Sequence, residues 1–395
     1  MKKNNKRLTE ILMVVFISTF IGMIAGSAAI YTIVSIDDKK DLDVSKLEEI
    51  DSVFDKIVED YYDTVDKDKL IEGAVAGMLS VLDKNTSYID KVNSTNFNNK
   101  MKGEYYGIGI EGLSLEGTGV LVVSVTPDSP AERSGIKEDD IIVEVNEKSL
   151  KEEPATYFTN LVSETKDEMK LTITRNERNL NISVKPEKVV IPSIFTNKIT
   201  VDAKRIGYIK ISIFAANTDT QFATKLKELE ENGIDSLIID VRDNSGGYLS
   251  TASTILEMFM KKGTVLYNIE SKNSTSERKD ETDEYREYPV AVLTNGSSAS
   301  ASEILAACFK DNLNSDIVGN TTYGKGTVQE VINVLEGSTA KITTKKWLTP
   351  KGEWINEIGL TPTIEVTLSN EYYQNPIYDN DNQLESAINA IKTKK

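Results

Sequence analysis

The segment that decides the fold reads Asn295-Gly296-Ser297-Ser298-Ala299-Ser300-Ala301-Ser302-Glu303-Ile304-Leu305. An apolar run at residues 290–293 precedes it and is typical of a buried strand. Asn295-Gly296 and the serines interrupt that pattern and indicate a turn. A helical pattern follows from Glu303. Small hydroxyl side chains therefore stand where a strand passes into the N-terminus of a helix.

Two interpretations fit serines at this place. A serine that precedes a helix commonly only caps it. The same place also suits a nucleophile, because free backbone amides and the helix dipole favour a developing negative charge. The residues alone leave four candidate nucleophiles, which are Ser297, Ser298, Ser300 and Ser302.

A second segment favours the interpretation that one of these serines is a nucleophile. Tyr323-Gly324-Lys325-Gly326-Thr327-Val328-Gln329 holds a lysine between two glycines at the start of a predicted strand, residues 327–334. Alternate residues of a strand share a face, so Lys325, Thr327 and Gln329 are expected to point the same way. A lysine between glycines is often only a solvated turn residue. Desolvated opposite a serine, its neutral amine can accept the serine proton.

Composition narrows the chemistry. The 395-residue chain contains no histidine, which excludes a Ser-His-Asp triad, a Cys-His pair and a His-ligated zinc site formed by this chain alone. Lysine is then the candidate base. The single cysteine, Cys308, permits no intrachain disulfide and lies in an apolar helical stretch, as a buried thiol does. We expect no metal and no cofactor.

The bulk properties indicate a globular protein that does not bind nucleic acid. Hydrophobic residues make up 39% of the chain and charged residues 27%, an ordinary balance for folded domains. The formal net charge of -16 disfavours nucleic acid as a partner. The length is sufficient for two or three domains.

The N-terminus predicts a membrane anchor. Residues 1–7 are basic, and residues 11–36 carry no charge and are largely apolar. Roughly 20 such residues cross a bilayer. A cleaved signal peptide is the alternative, with Gly26-Ser27-Ala28-Ala29 as its cleavage site, but the apolar run continues past it. The basic flank places the remaining chain outside the cytoplasm, on a single-pass protein of the cell membrane.

Two amphipathic helices are predicted after the anchor. Apolar residues of the first recur at three- and four-residue spacing, namely Leu47, Ile50, Val53, Phe54, Ile57 and Val58. The second covers residues 67–82. Such helices either pack on the body of the protein or pair with a second copy.

Residues 102–187 resemble a PDZ domain of the bacterial type. Tyr106-Gly107-Ile108-Gly109-Ile110 is followed by an apolar run, residues 119–125, and by the long match at residues 129–146, where Pro130 starts a short helix and Gly135 ends it. The loop exposes backbone amides that can capture a terminal carboxylate, and the adjoining strand edge can accept an extended peptide. The predicted peptide-binding residues are Gly107, Ile108, Gly109 and Ile110.

The remaining pattern predicts an α/β layer. A strand at residues 205–211 precedes a helix at 219–232, and a strand beginning at Ser236 leads through Gly246-Gly247 to a helix at 251–260. Such alternation favours helices packed over a sheet. The glycine turn lacks a Walker pattern, which disfavours a nucleotide-binding enzyme. Its free amides could form half of an oxyanion hole.

The segments together resemble the carboxy-terminal processing peptidases, the tail-specific serine proteases, over about residues 47–391. The motifs that carry the resemblance are residues 77–83, the PDZ segment, the turn at 240–247, Ser300-Ala301-Ser302-Glu303-Ile304, residues 323–329 and Trp347-Leu348-Thr349-Pro350-Lys351-Gly352. The N-terminal pattern and the resemblance together predict a multidomain fold of α/β and β domains: a cytoplasmic basic end and membrane anchor at 1–36, a helical region at 37–101, a PDZ domain at 102–187, an α/β protease core at 188–366 and a C-terminal tail and helix at 367–395.

The resemblance also implies the roles of individual residues. It makes Ser300 the nucleophile, Lys325 the general base and Gln329 the residue that orients the lysine. The oxyanion hole then comes from the amide of Ala301 and one from Gly246 or Gly247. It further implies protein substrates with apolar C-terminal tails, gating of the site by the PDZ domain and homodimers through terminal helices.

Three departures from the family pattern are visible, none of them in the proposed dyad. Ser245 stands where many members have proline, Asn85 lies where many have a histidine, and Tyr323 replaces the usual phenylalanine. The alternative interpretation is a membrane-anchored PDZ adaptor whose protease layer is inactive, since such a protein would also carry these motifs. Loss of Ser300 or Lys325 would mark such an adaptor, and both are present.

Overall fold

The computed structural model describes residues 44–335, 337–392 and 394. The predicted basic end and membrane segment, residues 1–36, lie outside these ranges, so the anchor stays a prediction. Within the ranges described, no helix is both long and apolar enough to cross a membrane.

The chain divides into two units at Val75. The described part of the first unit contains α1 (Val44–Asp60) and the beginning of α2 (Lys67–Ser80), close to the two helices that the apolar spacing predicts. Several apolar side chains of α1 are exposed, namely Leu47, Ile50, Val53 and Ile57.

The second unit starts with short elements that lead into the PDZ domain. Strand β1 (Ser87–Ile89) is followed by α3 (Lys91–Lys102), which Asp90 caps by accepting a hydrogen bond from the Asn93 N–H. Strand β2 (Glu104–Gly107) then pairs antiparallel with β9 (Glu187–Val190), the strand that follows the domain.

The PDZ domain is an antiparallel sheet with the order β3-β4-β5-β7-β8, and β6 pairs with β5. Two helices accompany it: α4 begins at Pro130, as predicted, with Gly135 just beyond its end, and α5 precedes β7. Its own apolar core includes Val122, Ile142 and Leu171, all fully buried. The elements are β3 (Ile110–Leu115), β4 (Gly119–Val125), α4 (Pro130–Arg133), β5 (Ile141–Val145), β6 (Lys148–Ser149), α5 (Ala155–Glu164), β7 (Met169–Arg175) and β8 (Arg178–Val184).

The predicted α/β layer is present as a six-stranded sheet of order β10-β11-β12-β15-β16-β19, parallel except for β10. Strand β12 is buried along its whole length, because it lies inside the sheet with helices on both faces. The elements are β10 (Ile194–Val201), β11 (Lys204–Ile211), α6 (Thr218–Glu231), β12 (Ser236–Asp240), α7 (Leu249–Glu257), β15 (Val290–Thr294), α8 (Ala301–Leu313), β16 (Asp316–Gly319) and β19 (Ile364–Glu365).

The two faces of this sheet have separate cores. Leu237 and Ile239 of β12 pack with side chains of α6, α7 and α8 on one face. The alternate residue Ile238 packs on the other face with the C-terminal helix α10 (Asn382–Lys392). A helix was predicted within the C-terminal segment, residues 367–395, and α10 is preceded there by a short helix, α9 (Asn370–Gln374).

A second sheet carries the lysine segment. It is built from the hairpin β13 (Val265–Ser271) and β14 (Thr275–Lys279), the strand β17 (Thr327–Asn333) and the long strand β18 (Thr339–Leu348). Strand β18 pairs antiparallel with β1, β13 and β17. Most of this hairpin lies in a charged stretch of the chain, residues 267–288.

The parallel strands position the functional turns. The carboxyl ends of β12, β15 and β16 meet at one edge of the six-stranded sheet. The turns that follow them contain Gly246-Gly247, the serine segment and Lys325. Three segments distant in sequence are thereby brought to one place.

Candidate active site

The serine turn is held by two of its four serines. Ser298 Oγ donates a hydrogen bond of 2.8 Å to the Val241 carbonyl, and Ser302 Oγ donates one of 2.8 Å to the Asn244 carbonyl. Both hydroxyls therefore tie this turn to the neighbouring glycine turn. Ser297 is exposed at the tip. These contacts give Ser298 and Ser302 structural roles.

Ser300 differs from the others in its backbone. Its φ is 54° and its ψ is -114°, a conformation that non-glycine residues rarely adopt. It occupies the N-cap position of α8, which begins at Ala301 rather than at the predicted Glu303. A buried serine with a strained backbone at the start of a helix is typical of a nucleophile elbow.

The glycine turn packs directly on this serine. A Cβ on Gly246 would lie 2.8 Å from the Ala299 carbonyl oxygen and 2.9 Å from Ser300 Cβ. With φ at 104° as well, only glycine fits here.

Two backbone amides at this place are free to bind an oxyanion. Within the described part of the chain, neither the Ala301 N–H nor the Gly247 N–H donates a hydrogen bond. The Gly246 N–H instead donates to Asn244 Oδ1 at 2.9 Å. Of the two predicted glycines, Gly247 therefore has the available donor in this structure.

Lys325 has a rigid backbone and a desolvated side chain. Its N–H donates to Glu303 Oε2 at 2.9 Å, and its carbonyl accepts from Trp347 Nε1 at 2.8 Å. A Cβ on the following Gly326 would meet Trp354 Nε1 at 2.7 Å, so a larger residue would displace this turn. Burial, and then the positive charge of Lys341, lower the pKa of Lys325 below its ordinary value.

Glu303 connects the serine segment with the lysine segment, and no role was predicted for it. Its carboxylate is fully buried, and Oε2 accepts from the N–H groups of both Ser300, at 2.7 Å, and Lys325. Oε1 accepts from the Gly324 N–H and the Thr322 hydroxyl. Burial raises the pKa of Glu303, although these hydrogen bonds oppose the shift. Glutamate at the third position of a helix after serine is a capping-box signal that could have identified it.

Gln329 lies on the same strand face as Thr327. Its Nε2 donates to Thr327 Oγ1 at 2.9 Å and to Thr343 Oγ1 at 3.1 Å. Within the residues that the structure describes, no hydrogen bond joins Gln329 to Lys325. Thr327 Oγ1 also accepts from Asn85 Nδ2 at 3.0 Å, which brings the segment near Asp83 to this strand.

A buried ion-pair network stabilises the start of the glycine turn. Arg242 forms ion pairs with Asp240 and with Asp381, each at 2.7 Å, and all three side chains are almost completely buried. Although burial acts in the other direction, the two carboxylates raise the pKa of Arg242. This network was not predicted, because nothing in the sequence pairs residues 139 positions apart.

The predicted PDZ loop lies at the beginning of an edge strand. The Ile108 and Gly109 carbonyls accept hydrogen bonds from Ala131 and Thr126, which fixes the loop against α4. Ile110 then starts β3, whose only neighbour in the described part of the sheet is β4. The Gly109 backbone also hydrogen-bonds to Tyr105, whose pKa burial raises.

Comparison with known proteins identifies the chain. The family model of peptidase family S41 matches residues 205–366, that of the PDZ domain matches 103–185, and that of the activating protease CtpB N-terminal domain matches 13–93. The carboxy-terminal processing protease CtpB of Bacillus subtilis is 35% identical over 89% of this chain and 73% of that protein. The chain belongs to the carboxy-terminal processing peptidases of family S41.

Further similarities agree with this. Carboxy-terminal processing protease CtpA of Bacillus subtilis is 33% identical over 89% of this chain and 75% of that protein. A putative S41 protease from Bacteroides fragilis shares the fold, with a TM-score of 0.50, 16% identity and coverage of 85% of this chain and 92% of that one. This S41 member is a serine-type C-terminal processing peptidase with a PDZ domain, and its substrates are proteins.

Proposed function

We propose that this peptidase cleaves with a Ser300–Lys325 dyad. One observation carries the proposal: a single buried oxygen, Glu303 Oε2, accepts hydrogen bonds from the backbones of both residues. The two turns are thereby held beside each other before substrate arrives. The lowered pKa of Lys325 supports its role, since a larger fraction of its amine is then neutral and able to accept a proton.

The chemistry follows from these positions. Neutral Lys325 Nζ takes the proton of Ser300 Oγ while that oxygen attacks the scissile carbonyl. The amides of Ala301 and Gly247 stabilise the oxyanion, and one such donor contributes on the order of 3 kcal/mol. The Lys325 ammonium then gives its proton to the leaving amine. Water hydrolyses the acyl-enzyme with the lysine again as the base. Gln329 orients the lysine in this scheme.

Substrate selection is assigned to the PDZ domain. The terminal carboxylate of an apolar tail binds the amides of residues 107–110, and the tail pairs with the free edge of β3. The captured protein is then presented to Ser300 as an extended strand. The domain can also gate the site, because capture would precede cleavage.

Location and assembly are part of the same proposal. The apolar N-terminal segment anchors the enzyme as a single-pass protein of the cell membrane, and the catalytic part faces away from the cytoplasm. The exposed apolar stripe of α1, with Leu47, Ile50 and Val53, supports a homodimer through terminal helices.

The test compares four forms of the full-length enzyme in detergent on a folded protein with an apolar C-terminal tail. The variants are Ser300→Ala, Lys325→Ala and Ser297→Ala, the last being an exposed serine of the same turn. We expect the first two to lose cleavage and the third to retain it. Cleavage by Ser300→Ala at the normal rate would assign the nucleophile to another residue.

Tail capture has its own test. Gly107→Asp places a negative charge in the carboxylate loop, and we expect a higher KM for the tailed substrate with little change in kcat. The same substrate with an amidated C-terminus serves as control, and the variant should not discriminate against it further. Equal cleavage of both substrates by the wild type would remove the capture role.

A further inference from the structure

A chain of hydrogen bonds runs from Asp83 to the strand that follows the lysine. Thr343 Oγ1 donates to Asp83 Oδ1 at 3.1 Å, and Gln329 Nε2 donates to Thr343 Oγ1 at 3.1 Å. The second hydrogen of Gln329 Nε2 goes to Thr327 Oγ1 at 2.9 Å. Thr343 lies on β18 and Gln329 on β17, so the chain crosses the pair of strands.

The direction of this chain is determined at Asp83. An ionised carboxylate only accepts hydrogen bonds, so the Thr343 hydroxyl must donate to it. The Thr343 oxygen then has to accept from Gln329, which identifies the atom facing it as the amide nitrogen and not the oxygen. Asp83 is itself held in the ionised form: hydrogen bonds from the Asn85 backbone and from Thr86 and Thr343 outweigh its burial and lower its pKa.

This direction also determines what the amide oxygen of Gln329, Oε1, can bind. Both hydrogens of Gln329 Nε2 are used, by Thr343 and Thr327, which leaves Oε1 as the free polar atom of the side chain. Oε1 can only accept, so it requires a donor. Lys325 is a cationic side chain two residues before β17, and Asp83 is close enough for its charge to act on the pKa of Lys325.

We propose that Asp83 and Thr343 are positioning residues of this peptidase: they fix the Gln329 amide so that its Oε1 is presented to the Lys325 amine. The inference rests on the proposed Ser300–Lys325 dyad and deepens it. The Oε1–amine contact forms in the substrate complex, since catalytic hydrogen bonds often tighten only there. Asp83 and Thr343 touch neither substrate nor reacting atoms and act through Gln329.

The charged groups around Lys325 allow the proposal to be tested through the pH dependence of kcat. Burial and the charge of Lys341 lower the pKa of Lys325, whereas the charges of Glu303 and Asp83 oppose this shift. An acceptor oxygen beside the ammonium also favours the charged form. Loss of the ordered amide therefore moves the acid limb of the kcat profile to lower pH. Because the amine is also less well aligned, the plateau rate falls.

The experiment uses Thr343→Val, which keeps the shape of the side chain and removes the hydroxyl. We expect kcat on a tailed protein substrate to fall about tenfold with KM within about twofold, because misalignment affects the reacting geometry and not binding. The acid limb should move to lower pH, and Thr343→Ser, which restores the hydroxyl, should recover most of the rate. Asp83→Asn should also move the acid limb of the kcat profile to lower pH.

The matched control is Thr344→Val, the same substitution at the exposed neighbouring residue of β18. Its kcat and pH profile should equal those of the wild type. If Thr343→Val behaves like Thr344→Val, or if Thr343→Ser fails to recover the rate, the positioning role is wrong. Ser300→Ala and Lys325→Ala run in the same assay. If they are inert, the dyad stands whichever result Thr343 gives; if Lys325→Ala cleaves normally, the dyad fails and this inference fails with it.

Discussion

Lys325, the proposed general base, also affects the stability of the fold. Its side chain is desolvated, so its pKa lies below the ordinary value, with Lys341 adding to the shift. The unfolded chain therefore binds this proton more tightly than the folded protein does. The contribution of Lys325 to stability is complete only above its unfolded pKa, roughly 10.4, and is lost as the pH falls through the folded value.

We therefore predict that Lys325→Met abolishes cleavage and stabilises the fold at pH 7. The gain should be about 1 kcal/mol, in the range common for substitutions that relieve a functional site. It should shrink as the pH approaches about 10.4, where the lysine is neutral in both states. Urea unfolding at pH 7 and at pH 10 measures both values. A stability equal to that of the wild type at pH 7 would contradict the argument.

Glu303 is the second residue whose burial is decisive. One carboxylate accepts hydrogen bonds from Ser300, Thr322, Gly324 and Lys325, and no apolar or cationic side chain could replace it. An amide offers one oxygen, and its nitrogen would face N–H donors.

Glu303→Gln should consequently reduce cleavage at least a hundredfold, because the serine and lysine turns would separate. It should also lower the free energy of unfolding by about 2–4 kcal/mol, as expected when buried donors lose their acceptor. Specific activity and urea unfolding are the measurements. Glu365→Gln, at an exposed glutamate of β19, is the control and should change neither.

At the scale of elements, the site depends on the close packing of two turns. The glycine turn after β12 and the serine turn after β15 are joined by the Ser298 and Ser302 hydroxyls and by the Ala299 N–H, which donates to Asn244. Parallel strands place both turns at the same sheet edge. The two proposed oxyanion donors, the amides of Ala301 and Gly247, therefore come from different segments and depend on this packing.

Gly246→Ala tests the packing. Its Cβ would overlap the Ala299 carbonyl and Ser300 Cβ, so we expect activity to disappear and stability to fall by about 2–4 kcal/mol. Gly263→Ala is matched to it: that glycine also has a positive φ, 85°, but a Cβ there would meet no atom within 4 Å. The control should lose only about 1 kcal/mol and remain active. Thermal unfolding and cleavage of a tailed substrate separate the two variants.

At the scale of the whole molecule, Arg242 links the site to the end of the chain. It bridges Asp240, at the end of β12, and Asp381, just before the C-terminal helix α10. That helix covers the face of the sheet opposite α8. The glycine turn is thus supported by a segment more than a hundred residues away.

Arg242→Leu should destabilise the protein by about 3–5 kcal/mol, because it leaves two buried carboxylates without their partner. Arg205→Leu is the control, since its ion pair with Asp235 is nearly half exposed and exposed pairs contribute little to stability. Urea unfolding of both variants measures the difference. Equal losses would show that burial of the Arg242 network does not matter.

Local sequence patterns alone predict the α/β alternation, the PDZ segment, the C-terminal helix and the two motifs around Ser300 and Lys325. These features are local: periodicity, glycine turns and residue type appear in a short window. The absence of histidine also excludes a Ser-His-Asp triad formed by this chain alone. The local pattern could not rank the four serines, because all of them lie at the same strand-to-helix turn.

The contacts that hold the site together can be seen only in the folded chain. Ser298 and Ser302 donate to carbonyls of another turn, whereas the strained backbone sets Ser300 apart. Glu303, the Asp83–Thr343–Gln329 chain and the Arg242 network join segments far apart in sequence. A single sequence carries no signal for such pairs, because each contact exists only once the strands have paired and the turns have packed.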